Sequence, residues 1–293
     1  MRMSKLRKVL ILGASGFIGR NLKEQFEGKY NLLTPTHKEL DLLNEVDVKK
    51  YLQTHTVDTI INCAVVGIYK KGEINNCSVM LSNLRMFFNL TNNKQYYNKM
   101  IFLNSGAYYN KNNPLKKVKE DSNVLMPEDM YEFHKYICVK FIEDTKNKII
   151  DLRLFGIYGK YENENLRFIS YAICRVINNL PVCINQNVVF DYLYVNDLVN
   201  IIKIFIEKKI KYKSYNIGTG KSIDLVSIFK RIQKITGKDI ELKIKVPGLN
   251  NEYTCDINRF LSEFKNIKYT DMDVAIKEMY TWYENKIKSD DIK

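Results

Sequence analysis

Short apolar runs, rich in β-branched residues, alternate along the chain with amphipathic stretches whose apolar positions recur at helical spacing. This is the pattern of βαβ units. A strand covered on both faces reads as a continuous apolar run, and the helix that covers it reads as a stripe. Lys8 to Leu12 reads as the first strand, Phe17 to Phe26 as the first helix and Leu32 to Thr34 as a short second strand. Val46 to Gln53 follows as a helix, then Thr59 to Asn62 as a strand introduced by Asp58. Leu81 to Thr91 reads as a long helix, Met100 to Leu103 as a fourth strand, Tyr131 to Asp144 as a helix and Ile149 to Leu154 as a fifth strand. Beyond residue 156 the rhythm loosens. Phe168 to Asn178 is helical and Pro181 breaks it; Val188 to Val195 reads as a strand and a helix starts at Asp197. Tyr215 to Ile217 is a strand, a helix starts at Asp224, and Ile257 to Lys286 is a helical, polar-faced tail. The expected fold is α/β: a Rossmann-like, doubly wound parallel sheet in residues 1–155, to which part of 186–217 returns. Residues 156–293 form mainly a smaller substrate-binding lobe.

The junction of the first strand and first helix is Gly13-Ala14-Ser15-Gly16-Phe17-Ile18-Gly19. A chain that turns sharply there and lets its backbone approach a pyrophosphate needs glycine, and the helix N-terminus offers unpaired N–H groups to phosphate. Gly13, Ser15, Gly16, Phe17, Ile18 and Gly19 are therefore expected to hold a dinucleotide. The chain after the second strand selects the cofactor. An acid there bonds the ribose 2′-hydroxyl of NAD, whereas a cation suits NADP. Thr34-Pro35-Thr36-His37-Lys38 has no acid before Glu39, and Arg20 lies just past the third glycine. NADP(H) is the expected cofactor, with His37 and Lys38 beside it and NAD(H) as the alternative; Asp41 is placed to bond the adenine amino group.

Tyr131 and Lys135 stand four apart and share a helix face. A free phenol titrates near pH 10, too high for easy exchange at neutrality, and a neighbouring ammonium favours the phenolate. With the hydroxyl of Ser105 at the end of the fourth strand, such a pair makes a proton-transfer device beside a hydride carrier. Tyr136 and Lys140 have the same spacing five residues later, so the spacing alone leaves two frames open.

An ordered set of motifs resembles the NAD-dependent epimerase/dehydratase family of extended short-chain dehydrogenases over nearly the whole chain. The set comprises Gly13, Gly16 and Gly19; Asp58 with Asn62-Cys63-Ala64; Asn83-Leu84-Arg85; and Ser105-Gly106-Ala107-Tyr108-Tyr109. It continues with Arg153-Leu154-Phe155-Gly156-Ile157-Tyr158-Gly159, Asp191-Tyr192-Leu193-Tyr194-Val195-Asn196-Asp197 and Tyr215-Asn216-Ile217-Gly218-Thr219-Gly220. The resemblance implies catalysis by Ser105, Tyr131 and Lys135. Tyr136 and Lys140 fall too late and become packing and surface charge. It adds Leu42, Cys63, Ala64, Asn83 and Lys135 as cofactor contacts, and Ser105, Gly106, Ala107, Gly156, Arg175 and Phe190 as substrate contacts. A nucleotide-diphosphate sugar is the implied substrate, and a homodimer on the helices containing Asn83 and Tyr131 the implied assembly. Departures from the family pattern are Gly156 for a common Asn, Lys160 for Pro and Phe190 for a frequent Arg.

Within the family, 4,6-dehydratases resemble one another in an acidic pair after the serine or threonine, where this chain has Gly106 and Ala107. GDP-fucose synthases, similar around Thr36 to Asn44, add a Cys and a His whose matching positions are Ala107 and Arg167. The machinery left is that of a simple reductase of a 4-keto nucleotide sugar. A 4-epimerase with tightly bound NAD is the second reading and a non-catalytic NADP(H)-binding sensor the third.

Composition adds exclusions. The net charge of +13 is spread over helices and loops without blocks or a nucleic-acid motif, so a solvated basic surface is expected and nucleic acid is not. Six cysteines without CxxC spacing and three histidines give no metal pattern, and reduced thiols suit a cytoplasmic protein. Met1 to Lys8 is basic, but the apolar run after it ends at Gly13, which reads as a strand rather than a signal peptide. No stretch is long enough for a membrane span.

Overall fold

The computed structural model describes residues 6–67 and 76–290; Met1 to Lys5, part of the basic start weighed above, lie outside them. In chain order the elements begin β1 (Lys8–Leu12), α1 (Phe17–Phe26), β2 (Asn31–Leu33), α2 (Glu45–Thr54), β3 (Val57–Asn62) and α3 (Asn76–Thr91). Next come β4 (Tyr97–Ser105), a 3-10 turn (Gly106–Tyr109), β5 (Leu115–Val118), α4 (Met130–Asp144), β6 (Ile149–Leu154) and β7 (Ile157–Tyr158). Then follow α5 (Phe168–Ile177), β8 (Val182–Ile184), β9 (Val189–Asp191), β10 (Leu193–Tyr194), α6 (Val195–Glu207) and β11 (Ser214–Ile217). The chain ends with β12 (Ser222–Asp224), α7 (Leu225–Thr236), β13 (Leu242–Ile244), β14 (Tyr253–Cys255), α8 (Asn258–Glu263) and α9 (Met272–Asp290). The chain divides into two compact units: the first takes residues up to 110, 121–154 and 202–215; the second takes 111–120, 155–201 and 216 onward.

In the first unit the sheet order is β11-β6-β4-β3-β1-β2, and the β1–β2, β1–β3, β3–β4 and β4–β6 ladders are parallel. The chain leaves β1 for the edge strand β2, then crosses back to β3 on the other side of β1. That reversal makes the C-terminal ends of β1 and β3 the switch point of a doubly wound sheet, where such folds open their ligand crevice. All six residues of β6 are buried, as are Val9 to Leu12, so both faces of the sheet are covered. Leu10, Leu12, Ile60, Met100 and Phe102 pack on one face against Val48 and Leu52 of α2, Met86, Phe87 and Leu90 of α3, and Cys138 and Ile142 of α4.

The second unit carries a four-stranded sheet in the order β12-β9-β14-β5 and a parallel β8–β13 pair. Its helices pack as α5 on α7 and α9. The strand expected over Val188 to Val195 is split: β9 and β10 occupy it, and Val195 already begins α6. The helical tail is likewise two helices, α8 and α9, interrupted over 264–271.

Part of the surplus of basic residues has a local use. The Nζ of Lys99 donates to the carbonyls of Phe205 and Ile206 at the end of α6, and that of Lys213 donates to Ile142, Glu143 and Thr145 at the end of α4. Lys238 does the same for Val176 and Ile177 at the end of α5. Each ammonium bonds carbonyls at the C-terminal end of a helix, the negative end of the dipole. Among the described residues no helix is long and apolar enough to cross a membrane, and no His/Cys/Asp/Glu group could hold a metal ion.

Candidate active site

Register across the sheet brings the predicted groups to one edge of the first unit. Leu12 pairs with Asn62 and Asn62 with Phe102, so the residues that follow β1 and β3 leave the sheet side by side; Ser105 ends β4 opposite Leu154. The glycine turn is tight. Gly13 has φ +75°, and a Cβ there would lie 2.8 Å from the nitrogen of Ala64 and 2.9 Å from the carbonyl carbon of Cys63. A Cβ at Gly19 would collide with the Gly13 carbonyl oxygen, whereas one at Gly16 would meet only that oxygen, at 3.4 Å. Two glycines are thus required by the chain's own packing, while Gly16 is not. Gly16 caps α1 with no side-chain bond and no acid in the first turn, and Ser15 and Gly16 are exposed. A helix start without a capping side chain, beside a glycine turn, fits a phosphate group.

Of the other predicted cofactor residues, Cys63 and Ala64 lie against this turn. The amide of Cys63 donates to Leu12 O at 3.0 Å, and that of Ala64 to Asn62 Oδ1 at 3.1 Å. Burial pushes the Cys63 thiol far up, so it stays protonated. The buried Asn83 amide donates to the carbonyls of Val66 and Val79, while its oxygen accepts from Val66 N at 2.9 Å. Asn83 therefore holds the chain after β3 in place through main-chain bonds. Past β2, His37 and Lys38 are exposed, and His37 Nδ1 lies 3.7 Å from Asp41 Oδ1. Asp41 itself accepts from Leu43 N, and the carbonyl of the buried Leu42 accepts from Asn89. Glu39, the first acid after β2, turns back to accept from Thr36 N at 2.7 Å and Thr36 Oγ1 at 2.9 Å.

Helix α4 starts at Asp129, whose carboxylate accepts from the amides of Tyr131 and Glu132. Tyr131 thus sits in the first turn, with Lys135 one turn on. Lys135 is buried; its ammonium lies 5.7 Å from the Tyr131 ring centre and 5.1 Å from that of Phe102. Since Phe102 shares a sheet row with Asn62, Lys135 is carried toward the strand ends that bear the glycine turn. The 3-10 turn after Ser105 packs on α4. The Oγ of Ser105 accepts from Ala107 N at 3.1 Å, which orients the hydroxyl, and Gly106 and Ala107 are buried.

Two groups to which the sequence assigned no role in the site stand here. His134, between Tyr131 and Lys135, is buried and meets the Tyr131 ring edge-on at 5.0 Å. Burial first, and the Lys135 charge second, lower its pKa to about 3, so the imidazole is neutral. Arg153 on β6 is completely buried: Nε donates to Asp151 at 2.8 Å, Nη1 to the Tyr109 hydroxyl at 2.8 Å and Nη2 to Glu143 at 3.3 Å. The sequence signal for this pair is two charges at i and i+2 in an otherwise apolar strand. The rival residues are engaged elsewhere: Tyr136 stacks on Tyr108 at 6.0 Å, and the exposed Lys140 pairs with Glu143 at 3.1 Å.

The predicted substrate residues Gly156, Arg175 and Phe190 belong to the second unit. Gly156 has φ +41°, and a Cβ there would strike the Asp191 carbonyl oxygen, which supplies a packing reason for glycine where the family often has Asn. The Nε of Arg175 donates to Pro181 O at 2.9 Å. Phe190 lies in an aromatic group with Tyr192 at 5.4 Å and Tyr253 at 5.7 Å. The buried Asp191 organises the Gly218 to Gly220 loop, accepting from Thr219 N at 2.8 Å, Thr219 Oγ1 at 2.7 Å and Gly220 N at 2.7 Å. Glu162, which the sequence reading passed over, is buried with Ser170 donating to its carboxylate. Burial dominates and raises its pKa to about 8.

The chain is 24% identical over 318 residues to GDP-L-colitose synthase of Yersinia pseudotuberculosis, covering 97% of this chain and 100% of that protein. Its fold is similar to the GDP-mannoheptose C4 reductase of Campylobacter jejuni with NADP bound (TM-score 0.79, 22% identity, 96% of this chain and 99% of that one). It is also similar to the UDP-glucose 4-epimerase of Thermotoga maritima with UDP-glucose (TM-score 0.81, 19% identity, 96% and 99%). The model of the NAD dependent epimerase/dehydratase family matches residues 9–218, and the chain belongs to that family.

Proposed function

We propose that the protein is an NADPH-dependent reductase of a 4-keto nucleotide-diphosphate sugar, with Tyr131 as proton donor. The observation that carries this reading is Lys135: a buried ammonium one helical turn from Tyr131, on a helix packed against the turn that follows Ser105. Taking a lysine out of water is costly unless its charge is used. Here it stabilises the negative charge left on the phenol oxygen when Tyr131 gives up its proton. The Ser105 hydroxyl, oriented by the Ala107 amide, donates to the same substrate oxygen, and such fixed donors lower the barrier where charge develops.

Gly13, Gly16 and Gly19 with the α1 N-terminus hold the dinucleotide phosphates. Cys63 and Ala64, on the chain fixed by Asn83, line the next stretch. NADPH supplies, when bound, a hydride for the C4 carbonyl carbon. The preference for the phosphorylated cofactor is supported by the chain past β2, where the only early carboxylate, Glu39, is turned onto Thr36, and His37 and Lys38 stand exposed. In the second unit Arg175 and Phe190 bind the nucleotide sugar.

Reduction is favoured over elimination because the residues after Ser105 are Gly106 and Ala107, both buried and neither an acid. One relative, 25% identical over 292 residues, is the dTDP-4-dehydro-6-deoxyglucose reductase of Escherichia coli, which supports reduction. The likeness to a 4-epimerase makes C4 epimerisation with retained NAD the competing reading. A panel of 4-dehydro nucleotide sugars (GDP-, dTDP-, CDP- and UDP-linked) with NADPH and with NADH decides. Stoichiometric loss of NADPH absorbance with one of them supports the reductase. Interconversion of 4-epimers without added reductant, by protein carrying NAD, refutes it. Cytoplasmic residence and a homodimer on α3 and α4 belong to the same proposal, and size-exclusion chromatography with light scattering tests the dimer.

A further inference from the structure

Arg153 presents a physical puzzle. A fully buried ion pair is a poor stabiliser, because desolvation cancels most of the attraction and well-packed apolar residues do as well or better. Yet Asp151 and Arg153 are both completely buried in β6. What the pair holds suggests its use. The other oxygen of Asp151 accepts from Asn104 Nδ2 at 2.8 Å, the residue before Ser105. Arg153 Nη1 donates to the hydroxyl of Tyr109, the last residue of the turn that starts after Ser105. One ion pair therefore pins the chain on both sides of Ser105.

The turn is gripped a third time. The Arg153 guanidinium lies 4.1 Å from the ring centre of Tyr108, a desolvated cation–π contact, and that ring runs nearly parallel (17°) to Tyr136 of α4. Charges continue to the same helix: Arg153 to Glu143 at 3.3 Å, Glu143 to Lys140 at 3.1 Å, and Lys140 within 5.5 Å of the Tyr136 ring. Helix α4 is the element that carries Tyr131 and Lys135.

We infer that the buried Asp151–Arg153 pair and the Tyr108–Tyr136 stack form a clamp that fixes the Ser105 hydroxyl relative to Tyr131. Arg153, Tyr108, Tyr109 and Tyr136 are then positioning residues. The second Tyr–Lys pair of the helix serves proton transfer by holding the turn, and exchanges no proton with substrate. The inference rests on the reductase reading for its catalytic consequence. Its structural half, an ordered 105–109 turn, stands independently.

The test uses Tyr136→Leu, which removes a half-buried ring, Tyr109→Phe, which removes one hydroxyl, Tyr136→Phe, which keeps the ring, and Tyr131→Phe. Two readouts are taken on the full chain. One is kcat and KM for NADPH oxidation with GDP-4-dehydro-6-deoxymannose or dTDP-4-dehydro-6-deoxyglucose, whichever the wild type reduces. The other is hydrogen–deuterium exchange of the 104–110 segment. Tyr136→Leu and Tyr109→Phe are expected to lower kcat about 10- to 100-fold, the scale of a small misplacement of a reacting group. KM for NADPH should stay within about twofold, and the 104–110 amides should exchange at least about tenfold faster. Tyr136→Phe should restore turnover lost in Tyr136→Leu. Wild-type exchange in both Tyr136→Leu and Tyr109→Phe overturns the clamp, and so does a Tyr136→Phe variant as inactive as Tyr136→Leu. A Tyr131→Phe variant with full turnover overturns the reductase mechanism instead, and leaves the exchange readout to decide the clamp.

Discussion

The three fingerprint glycines are predicted to fail for different reasons when each is replaced by alanine. At Gly13 the replacement forces a left-handed residue, at about 1–2 kcal/mol, and drives a methyl to 2.8 Å from the Ala64 nitrogen. Overpacking of that kind adds roughly 1–3 kcal/mol, for a total of about 2–5 kcal/mol. At Gly19 the backbone conformation is helical, but the methyl overlaps the Gly13 carbonyl oxygen, so the overpacking cost alone applies. At Gly16 φ is −81° and ψ 175°, an ordinary extended conformation, and the nearest neighbour of the new methyl is 3.4 Å away. Alanine at such a site stabilises by about 0.4–1 kcal/mol through the unfolded chain.

Thermal unfolding should therefore rank the variants with Gly16→Ala at or above the wild type. Gly13→Ala should melt roughly 4–20 °C lower, taking about 2–4 °C per kcal/mol for a chain of this size. Cofactor affinity should rank differently. The Gly16 methyl stands at the uncapped start of α1, where the backbone must approach the pyrophosphate, and losing one or two charge-assisted N–H bonds there weakens Kd by about 10- to 100-fold or more. Titration of NADPH fluorescence measures this without knowledge of the sugar. A Gly16→Ala variant that is stable and binds NADPH within twofold of the wild type would falsify the phosphate cradle. One that unfolds as readily as Gly13→Ala would refute the local geometry.

Other expectations follow from the same structure. Tyr131→Phe should lower kcat by at least about 100-fold while NADPH affinity is unchanged, as for loss of a general acid; a variant still turning over at wild-type rate refutes the role. Asp191→Asn keeps one acceptor for Thr219 but sets an amide against the Gly220 N–H. A stability loss of about 3–5 kcal/mol in urea unfolding is expected, and less than about 1 kcal/mol would contradict it. The raised pKa of Glu162 means that its contribution to stability is full below the ordinary carboxylate value of 4.5 and is lost as pH rises through about 8. The advantage of Glu162→Gln over the wild type in melting temperature should thus grow from pH 6 to pH 9, and a difference constant with pH refutes this. For His134 the sign is opposite. With a pKa lowered to about 3, its neutral-state contribution is full above pH 6.5 and is lost as pH falls below it, so His134→Phe should lose less stability than the wild type between pH 7 and pH 5.

The half of the fold that was legible in the sequence is the half with strong periodicity. Lys8 to Leu12, Phe17 to Phe26 and Ile149 to Leu154 match the observed elements at both ends, because strands covered on both faces leave unbroken apolar runs between polar turns. Helix α7 begins after Asp224, whose carboxylate accepts from Ser227 N, so the cap was readable as a cap. The second unit was less legible because its strands are two to four residues long. Leu115-Lys116-Lys117-Val118 carries two lysines and looks like loop, yet it pairs with β14 as a sheet edge. Its identity as a strand comes from Tyr253 to Cys255, more than a hundred residues away, and no local pattern records such a partner.

The site shows the same division between local and distant causes. The glycine spacing and the Tyr131–Lys135 spacing are local and could be read directly, but the second Tyr–Lys pair made the helix ambiguous. What accounts for Tyr136 and Lys140 is a set of partners from β6, from the turn after β4 and from the end of α4 itself: Arg153, Tyr108 and Glu143. The one sequence trace of that set was Asp151 and Arg153 inside an apolar strand. Buried charges in a strand are expensive unless something is held by them, and in the structure this pair holds the chain on both sides of Ser105. A charge pattern that contradicts the burial pattern is therefore as informative as a motif, and here it leads to Ser105 from the opposite direction to the family resemblance.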